Sequence, residues 1–218
     1  MYLPSHFEET RPEPLHALLR QHPLGLLIST DAQGEPVADP IPFLLDSTRG
    51  AHGTLVGHVA RANPVWQQAA GRPVLVVFQG PNGYISPSGY PAKAVHGKVV
   101  PTWNYAVVQA RGPLQVLDDD AAKHAVVSLL TQHHEAPQPK PWAVADAPAD
   151  YIAQMLRAIV AIEIPLQTLV GKYKLSQNRS AADRDGVNAA LQVRVDDPAA
   201  QQLASWMRQA ADGTGTPA

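Results

Sequence analysis

The chain has 218 residues, of which 45% are apolar and 17% charged, and its formal net charge is −2. This composition is typical of a globular protein and lacks the basic surplus of proteins that grip nucleic acid without regard to sequence. There is no cysteine, so disulfides and thiolate metal sites are excluded. No apolar run approaches the length of a membrane span and the polar N-terminus is unlike a signal peptide, so we expect a cytoplasmic protein.

The first third of the chain shows both helical and strand-like patterns. Leucines at helical spacing, between two early prolines and a terminal one, predict a helix over residues 12–22. Short apolar runs predict three strands, at residues 24–30, 37–45 and 54–59. Two prolines inside the second run predict an edge strand or a bulged one. Asn63 and Pro64 then start a helix that ends near residue 70.

The rest of the chain predicts three more strand regions and four helices. The strand regions are residues 73–79, expected at the centre of a sheet, 99–117, expected to hold a pair broken near Gly112, and 159–170. The helices are predicted at residues 118–133, 149–157, 180–192 and 198–211.

About six strands with short connections predict a mainly β member of the α+β class, an antiparallel barrel with flanking helices. We expect this domain to span residues 1–192, followed by a C-terminal helix and a frayed tail over 193–218. No βαβ alternation and no glycine-rich loop after a strand is present, which excludes the common dinucleotide-binding and P-loop folds.

Residues 78–105 concentrate aromatic and cationic side chains among four prolines and four glycines. Rigid turns of this kind hold Tyr84, Lys93 and Trp103 near one another in space. Rings, amides and lysines together suit a flat, aromatic, anionic ligand. A structured loop that only covers a core is an equally good interpretation of the same residues.

Two other segments are candidates for the anionic end of such a ligand. The turn over residues 57–63 enters a helix N-terminus and carries Arg61, and arginine grips phosphate with two parallel hydrogen bonds. Residues 172–179 add three cations with serine, glutamine and asparagine side chains. The alternatives are a surface arginine beside a capped helix and a solvated basic turn, and composition favours the solvated turn for the second segment.

Metal and serine-hydrolase sites are not indicated. His133, His134 and Glu135 are adjacent, so on a helix they point in different directions, and no i, i+4 histidine pair accompanies them. Ser86 and Ser88 lack the strand–turn–helix context of a nucleophile elbow.

Seven blocks of sequence carry a resemblance to a known family. In chain order they are LHALLRQHPLG, IPFLLD, GHVARANP, FQGPNGYISPSGYPAK, HGKVVPTWNY, PWAVADAP and GKYKLSQNR. From Met1 to about Leu191 the chain resembles the PaiB family of FMN-binding negative transcriptional regulators. The resemblance implies that residues 1–192 form a flavin-binding split β-barrel, similar to the pyridoxamine-phosphate oxidase fold, with FMN at a homodimer interface.

The matching blocks contain the cofactor contacts that we predict for FMN. They are His58, Arg61, Asn63, Tyr84, Lys93, Thr102, Trp103, Asn104, Lys174, Gln177 and Asn178. The sequence departs from the family pattern in two places. Gly89 stands where a Trp is expected, and Asp39-Pro40 stands where Asn-His or Thr-His is usual. The missing Trp removes a large ring that would cover a flavin or a partner subunit.

Three functions are consistent with the resemblance. The first is a dimeric FMN-binding repressor of the PaiB type, whose relatives govern protease production and sporulation; no catalytic residue is predicted for it. The alternatives are an FMN-dependent oxidoreductase, as in pyridoxamine-phosphate oxidases and flavin reductases, and a haem-handling protein on the same scaffold. Net charge and the missing helix-turn-helix argue that a repressor would reach DNA through a partner or a modest local patch.

Overall fold

The computed structural model describes residues 1–212, which form two antiparallel sheets surrounded by helices. The strands are β1 (Glu8–Glu9), β2 (Leu24–Thr30), β3 (Pro36–Pro42), β4 (Leu44–Asp46), β5 (Thr54–Ala60), β6 (Pro73–Ile85), β7 (Thr102–Pro113), β8 (Gln115–Leu117), β9 (Ile159–Pro165) and β10 (Thr168–Lys174). The α-helices are α1 (Pro12–Gln21), α2 (Val65–Gln68), α3 (Ala92–His96), α4 (Asp120–Glu135), α5 (Ala149–Arg157), α6 (Ala181–Gln192) and α7 (Pro198–Asp212). Short 3-10 turns occur at Ser5–Phe7, Pro87–Gly89 and Val144–Asp146.

The chain divides into two compact units, and β6 and β7 run through both. The first unit comprises residues 1–22, 79–108 and the C-terminal segment from residue 170. Within it the strand order is β1-β10-β7-β6. Helix α1 packs closely on this sheet, because a Cβ at Gly171 would lie 2.3 Å from Leu15 Cδ2. Tyr173 and Trp206 have ring centroids 5.5 Å apart in the core of this unit.

The second unit comprises residues 23–78 and 109–169. In it β2 pairs with β6 on one side and with β3 on the other, and β4, β5, β9 and β8 form a four-stranded sheet in that order. Buried Val126 and Leu130 of α4 pack on Val56 and Ala161 of that sheet. Burial of one apolar face of a helix on a sheet is the main source of stability in such a layer.

Most predicted elements are confirmed, and the number of strands is corrected from about six to ten. The helices α1, α5, α6 and α7 and the edge position of β3 match the predictions. The region 159–170 forms two strands, because Pro165 ends β9 before β10 begins. The region 37–45 is also divided at Phe43 into β3 and β4, and the Phe43 amide donates to the Pro23 carbonyl at 2.9 Å.

Three further boundaries differ from the sequence-based predictions. Strand β6 runs to Ile85 and β7 begins at Thr102, so residues 78–85 and 102–105 of the aromatic stretch lie in strands and residues 86–101 are irregular or helical. The helix predicted from Asn63 to about residue 70 is the four-residue α2. The basic segment 172–179 begins inside β10.

The domain boundary predicted at residue 192 stays a prediction. Helix α7 lies where the C-terminal helix was expected. The structure does not describe residues 213–218, so the predicted fraying of the tail stays a prediction. Among the helices of residues 1–212, none is long and apolar enough to cross a bilayer.

A matched pair of leucine substitutions in the second unit tests this assignment of core and surface. Leu55 is 0% exposed in β5, whereas Leu24 is 61% exposed in β2. We expect Leu55→Ala to lower the free energy of unfolding by about 2–5 kcal/mol, because truncation leaves a cavity. Leu24→Ala should cost less than about 0.5 kcal/mol. Urea titration at one fixed protein concentration measures both, and equal losses would contradict the assignment.

Candidate functional site

The predicted cofactor contacts fall into two groups, one in each compact unit. Tyr84, Lys93, Thr102, Trp103, Asn104, Lys174, Gln177 and Asn178 belong to the first unit. His58, Arg61 and Asn63 belong to the second. The two groups differ in whether a carboxylate within the unit pairs with their cations.

In the first unit, the last residue of β10 gathers several predicted contacts. The Lys174 Nζ donates to the Thr102 hydroxyl and to the Trp103 carbonyl oxygen. Partial burial, followed by repulsion from Lys172 and Arg179, lowers the pKa of Lys174. Over residues 1–212, none of these three cations forms an ion pair. The cluster therefore has positive charge that no carboxylate balances, which favours an anionic ligand.

The turn after β10 holds this cluster in an uncommon backbone conformation. Ser176 has φ of +68°, a left-handed value that non-glycine residues adopt rarely. Buried Asn104 donates to the Ser176 hydroxyl at 2.9 Å. The Gln177 carbonyl accepts from the Leu175 amide at 2.7 Å, and its NH2 group donates to the Tyr173 carbonyl. Asn104 and Gln177 thus fix the turn, while the Asn178 side chain stays exposed.

An exposed pair of aromatic rings adjoins the cation cluster through Trp103. The rings of Tyr84 and Trp103 meet edge to face, with centroids 6.3 Å apart. Tyr84 is 49% exposed and Trp103 is 55% exposed, which is unusual for side chains whose burial is so favourable. Lys93, at the start of α3, reaches the Ser88 hydroxyl at 3.3 Å. The Tyr84–Trp103 pair offers ring surface to a planar ligand beside the cations.

In the second unit, Arg61 is engaged on several sides. Its guanidinium donates to both oxygens of Asp118 and to the carbonyls of Arg157 and Ile159. It also lies over the Trp66 ring, at 5.7 Å from the centroid. The Asp118 hydrogen bond raises the pKa of Arg61. Any phosphate at Arg61 must therefore compete with a carboxylate that already occupies its donors.

The neighbours of Arg61 are engaged as well. The side-chain carbonyl of Asn63 accepts from the Val65 amide, and its NH2 group donates to the Asp39 carboxylate, both at 2.9 Å. The second oxygen of Asp39 is buried and has no hydrogen-bond partner over residues 1–212. His58 lies exposed on β5. The departure at Asp39 thus replaces a family residue with a partner for Asn63.

Sequence reasoning missed Ser176 and the two acids. The sequence marks Asp118 only as the start of a helix and Asp39 only as a departure from the expected family pattern. Their partners Arg61 and Asn63 are 57 and 24 residues away in the chain. No spacing pattern announces contacts over such separations. The left-handed backbone at Ser176 has no sequence signal either, because glycine or asparagine is the usual residue in that conformation.

A family model described as "Putative FMN-binding domain" matches residues 1–168. The chain belongs to this family. The predicted PaiB relationship is confirmed by the Bacillus subtilis "Protease synthase and sporulation protein PAI 2", which is 32% identical, with 95% of this chain and 96% of that protein covered. An uncharacterized Emericella nidulans member is 35% identical, with 86% of this chain and 88% of that protein covered.

Solved structures show the fold of this FMN-binding-domain family member. An FAD and haem binding protein from Mycobacterium smegmatis superposes with a TM-score of 0.59 at 21% identity, covering 82% of this chain and 78% of that one. A flavocytochrome from Azotobacter vinelandii gives a TM-score of 0.57 at 14% identity, covering 77% and 69%. The predicted antiparallel split barrel of the flavin-binding type is confirmed.

Proposed function

We propose that the protein binds FMN at the first-unit cluster and acts as a negative transcriptional regulator of the PaiB type. The observation that carries the proposal is the unbalanced cation cluster of Lys172, Lys174 and Arg179 beside the exposed Tyr84–Trp103 pair. Family membership supports a flavin as the occupant. Bound FMN would supply a redox-active ring, and this chain's residues would bind and orient it.

Each part of FMN has a chemically suitable partner in the cluster. The phosphate is an anion that would relieve the mutual repulsion of the three cations, and the Thr102 hydroxyl is a further donor within reach of Lys174. The flat ring system would lie on Tyr84 or Trp103, which present their rings to solvent. The exposed Asn178 amide would serve polar edges of the ring.

The second-unit residues His58, Arg61 and Asn63 remain proposed contacts of a lower rank. The polar groups of Arg61 and Asn63 are bound by Asp118 and Asp39, so a ligand would have to break existing hydrogen bonds there. An anion gains more where positive charge is unbalanced than where it must displace a carboxylate. The phosphate is therefore assigned to Lys174 rather than to Arg61.

Replacing single cations separates the two assignments. Lys174→Gln leaves a shorter polar side chain that still donates hydrogen bonds but carries no charge. We expect FMN to bind roughly tenfold more weakly or worse, because a charge-assisted hydrogen bond contributes about 1.5–3 kcal/mol. Flavin fluorescence titration measures this, with Lys140→Gln in the second unit as the control. Unchanged affinity in Lys174→Gln together with a loss in Arg61→Ala would move the phosphate to Arg61.

We also propose that the protein is a homodimer. Large apolar side chains between residues 84 and 103 are exposed although burial would stabilise them, namely Tyr84, Val95, Val100 and Trp103. Aromatic residues of this kind are enriched at the centres of interfaces between subunits. A second copy would bury them and would close the flavin site from solvent.

Light scattering after size exclusion tests the dimer. We expect twice the mass of one chain at micromolar concentration, and we expect Val95→Arg to lower the dimer fraction by placing a charge in the interface. Val195→Arg is the control, because Val195 is equally apolar and exposed but lies outside the 84–103 stretch. A monomer that still binds FMN would refute the shared site.

The proposed regulation predicts modest, flavin-sensitive contact with DNA. The net charge is −2. In the described part of the chain, Lys172, Lys174 and Arg179 form a cluster without ion pairs, and bound FMN would already use it. Electrophoretic mobility shifts should therefore show weak binding of apo protein to random duplex at physiological salt, weaker still with FMN. Tight binding that FMN leaves unchanged would contradict the charge argument.

Consumption of NADPH by the FMN-loaded protein would favour the alternative function, an FMN-dependent oxidoreductase.

A further inference from the structure

A mainly apolar cavity lies within the first unit, next to the Tyr84–Trp103 pair. Its volume is about 230 Å³. Its walls come from the end of β6 and from α6, and include Tyr84, Ile85, Val187 and Leu191. Arg194, two residues after the end of α6, contributes the charged group of the lining. Neither the Lys174 cluster nor the Arg61 group is part of it.

Two glycines let α6 pack closely on the 87–89 turn beside this cavity. A Cβ at Gly186 would lie 2.4 Å from the Gly89 carbonyl oxygen, so α6 packs directly on the backbone of the 87–89 turn. A Cβ at Gly89 would lie 3.3 Å from Val187 Cα, which leaves no room for a longer side chain without a shift. The helix thus packs against the backbone of the turn at the edge of the cavity.

Arg194 has donors to spare at the cavity. Its Nη2 pairs with Asp197, an ion pair with both side chains partly exposed to solvent. Over residues 1–212 its Nε and Nη1 groups make no hydrogen bond. These two groups lie on different sides of the guanidinium, and each can donate a charge-assisted hydrogen bond to a carboxylate oxygen. An exposed ion pair contributes little, so a bound carboxylate would not have to overcome a strong Arg194–Asp197 attraction.

We propose that this cavity binds a small aromatic carboxylate, with its ring against Val187 and Leu191 and its carboxylate at Arg194. An apolar cavity of about 150 Å³ holds benzene in a protein core, so this one accommodates a benzene ring with one substituent. Tyr84 lines the cavity and also belongs to the pair assigned to the flavin. The ligand would therefore sit beside FMN. Binding to the cavity does not require FMN; only this adjacency rests on the proposed function.

Calorimetric titration of the full-length protein with benzoate tests the proposal. We expect saturable binding in both apo and FMN-loaded protein. Ala190→Phe places a ring into the cavity from an exposed position on α6 and should weaken benzoate binding at least tenfold. Ala189→Phe adds the same ring one residue away, at an exposed position outside the lining, and should leave binding unchanged. Equal binding by these two variants, or none by the wild-type chain, would overturn the site.

The role of Arg194 has its own readout. Arg194→Gln should weaken benzoate roughly tenfold and leave the neutral analogue benzyl alcohol unchanged, because only the charge-assisted contact is lost. Benzyl alcohol binding as tightly as benzoate to the wild-type chain would refute the carboxylate class. FMN affinity, measured separately, should be the same in Ala190→Phe and Ala189→Phe. Loss of benzoate with FMN binding intact, or the reverse, distinguishes failure of this proposal from failure of the flavin proposal.

Discussion

The buried hydrogen bond from Asn104 to Ser176 is the contact on which the candidate site depends. It joins β7 to the turn after β10 and stabilises a left-handed backbone at a residue with a side chain. Asn104 also lies 3.4 Å from Met207 Sδ, so α7 packs on the same asparagine. Because Lys174 precedes this turn and Arg179 follows it, the position of both cations relies on a buried amide.

The two groups of predicted contacts show how different electrostatic environments arise from similar residues. Arg61 has a carboxylate, two carbonyls and an indole ring around it, and its charge is balanced within the second unit. Lys174 has a hydroxyl, a carbonyl and two like charges, and its pKa falls. Sequence alone ranks the arginine higher, because it precedes a helix start. We propose Lys174 rather than Arg61 as the phosphate contact, because a free anion is attracted to unbalanced charge.

How far the sequence predicts this structure depends on the range of the interactions involved. Local signals placed the amphipathic helices α1, α5, α6 and α7 well. Residues 80–85 fall outside the predicted strand because their Gly and Pro residues suggest a loop, whereas pairing in the sheet makes them part of β6. The partnership of Arg61 with Asp118 and of Asn104 with Ser176 spans 57 and 72 residues, and no local pattern encodes it. Gly186 lies in a predicted helix and Gly89 in a predicted turn, and no local pattern signals their backbone contact beside the 230 Å³ cavity.

The absorption spectrum of the purified protein, before and after addition of FMN, tests the central claim most directly. The account predicts the visible bands of oxidised flavin at one flavin per chain, released on denaturation and identified as FMN by mass. It also predicts that Lys174→Gln protein is purified with less flavin than Lys140→Gln protein. A haem spectrum, or a colourless protein that takes up no added FMN, would contradict it.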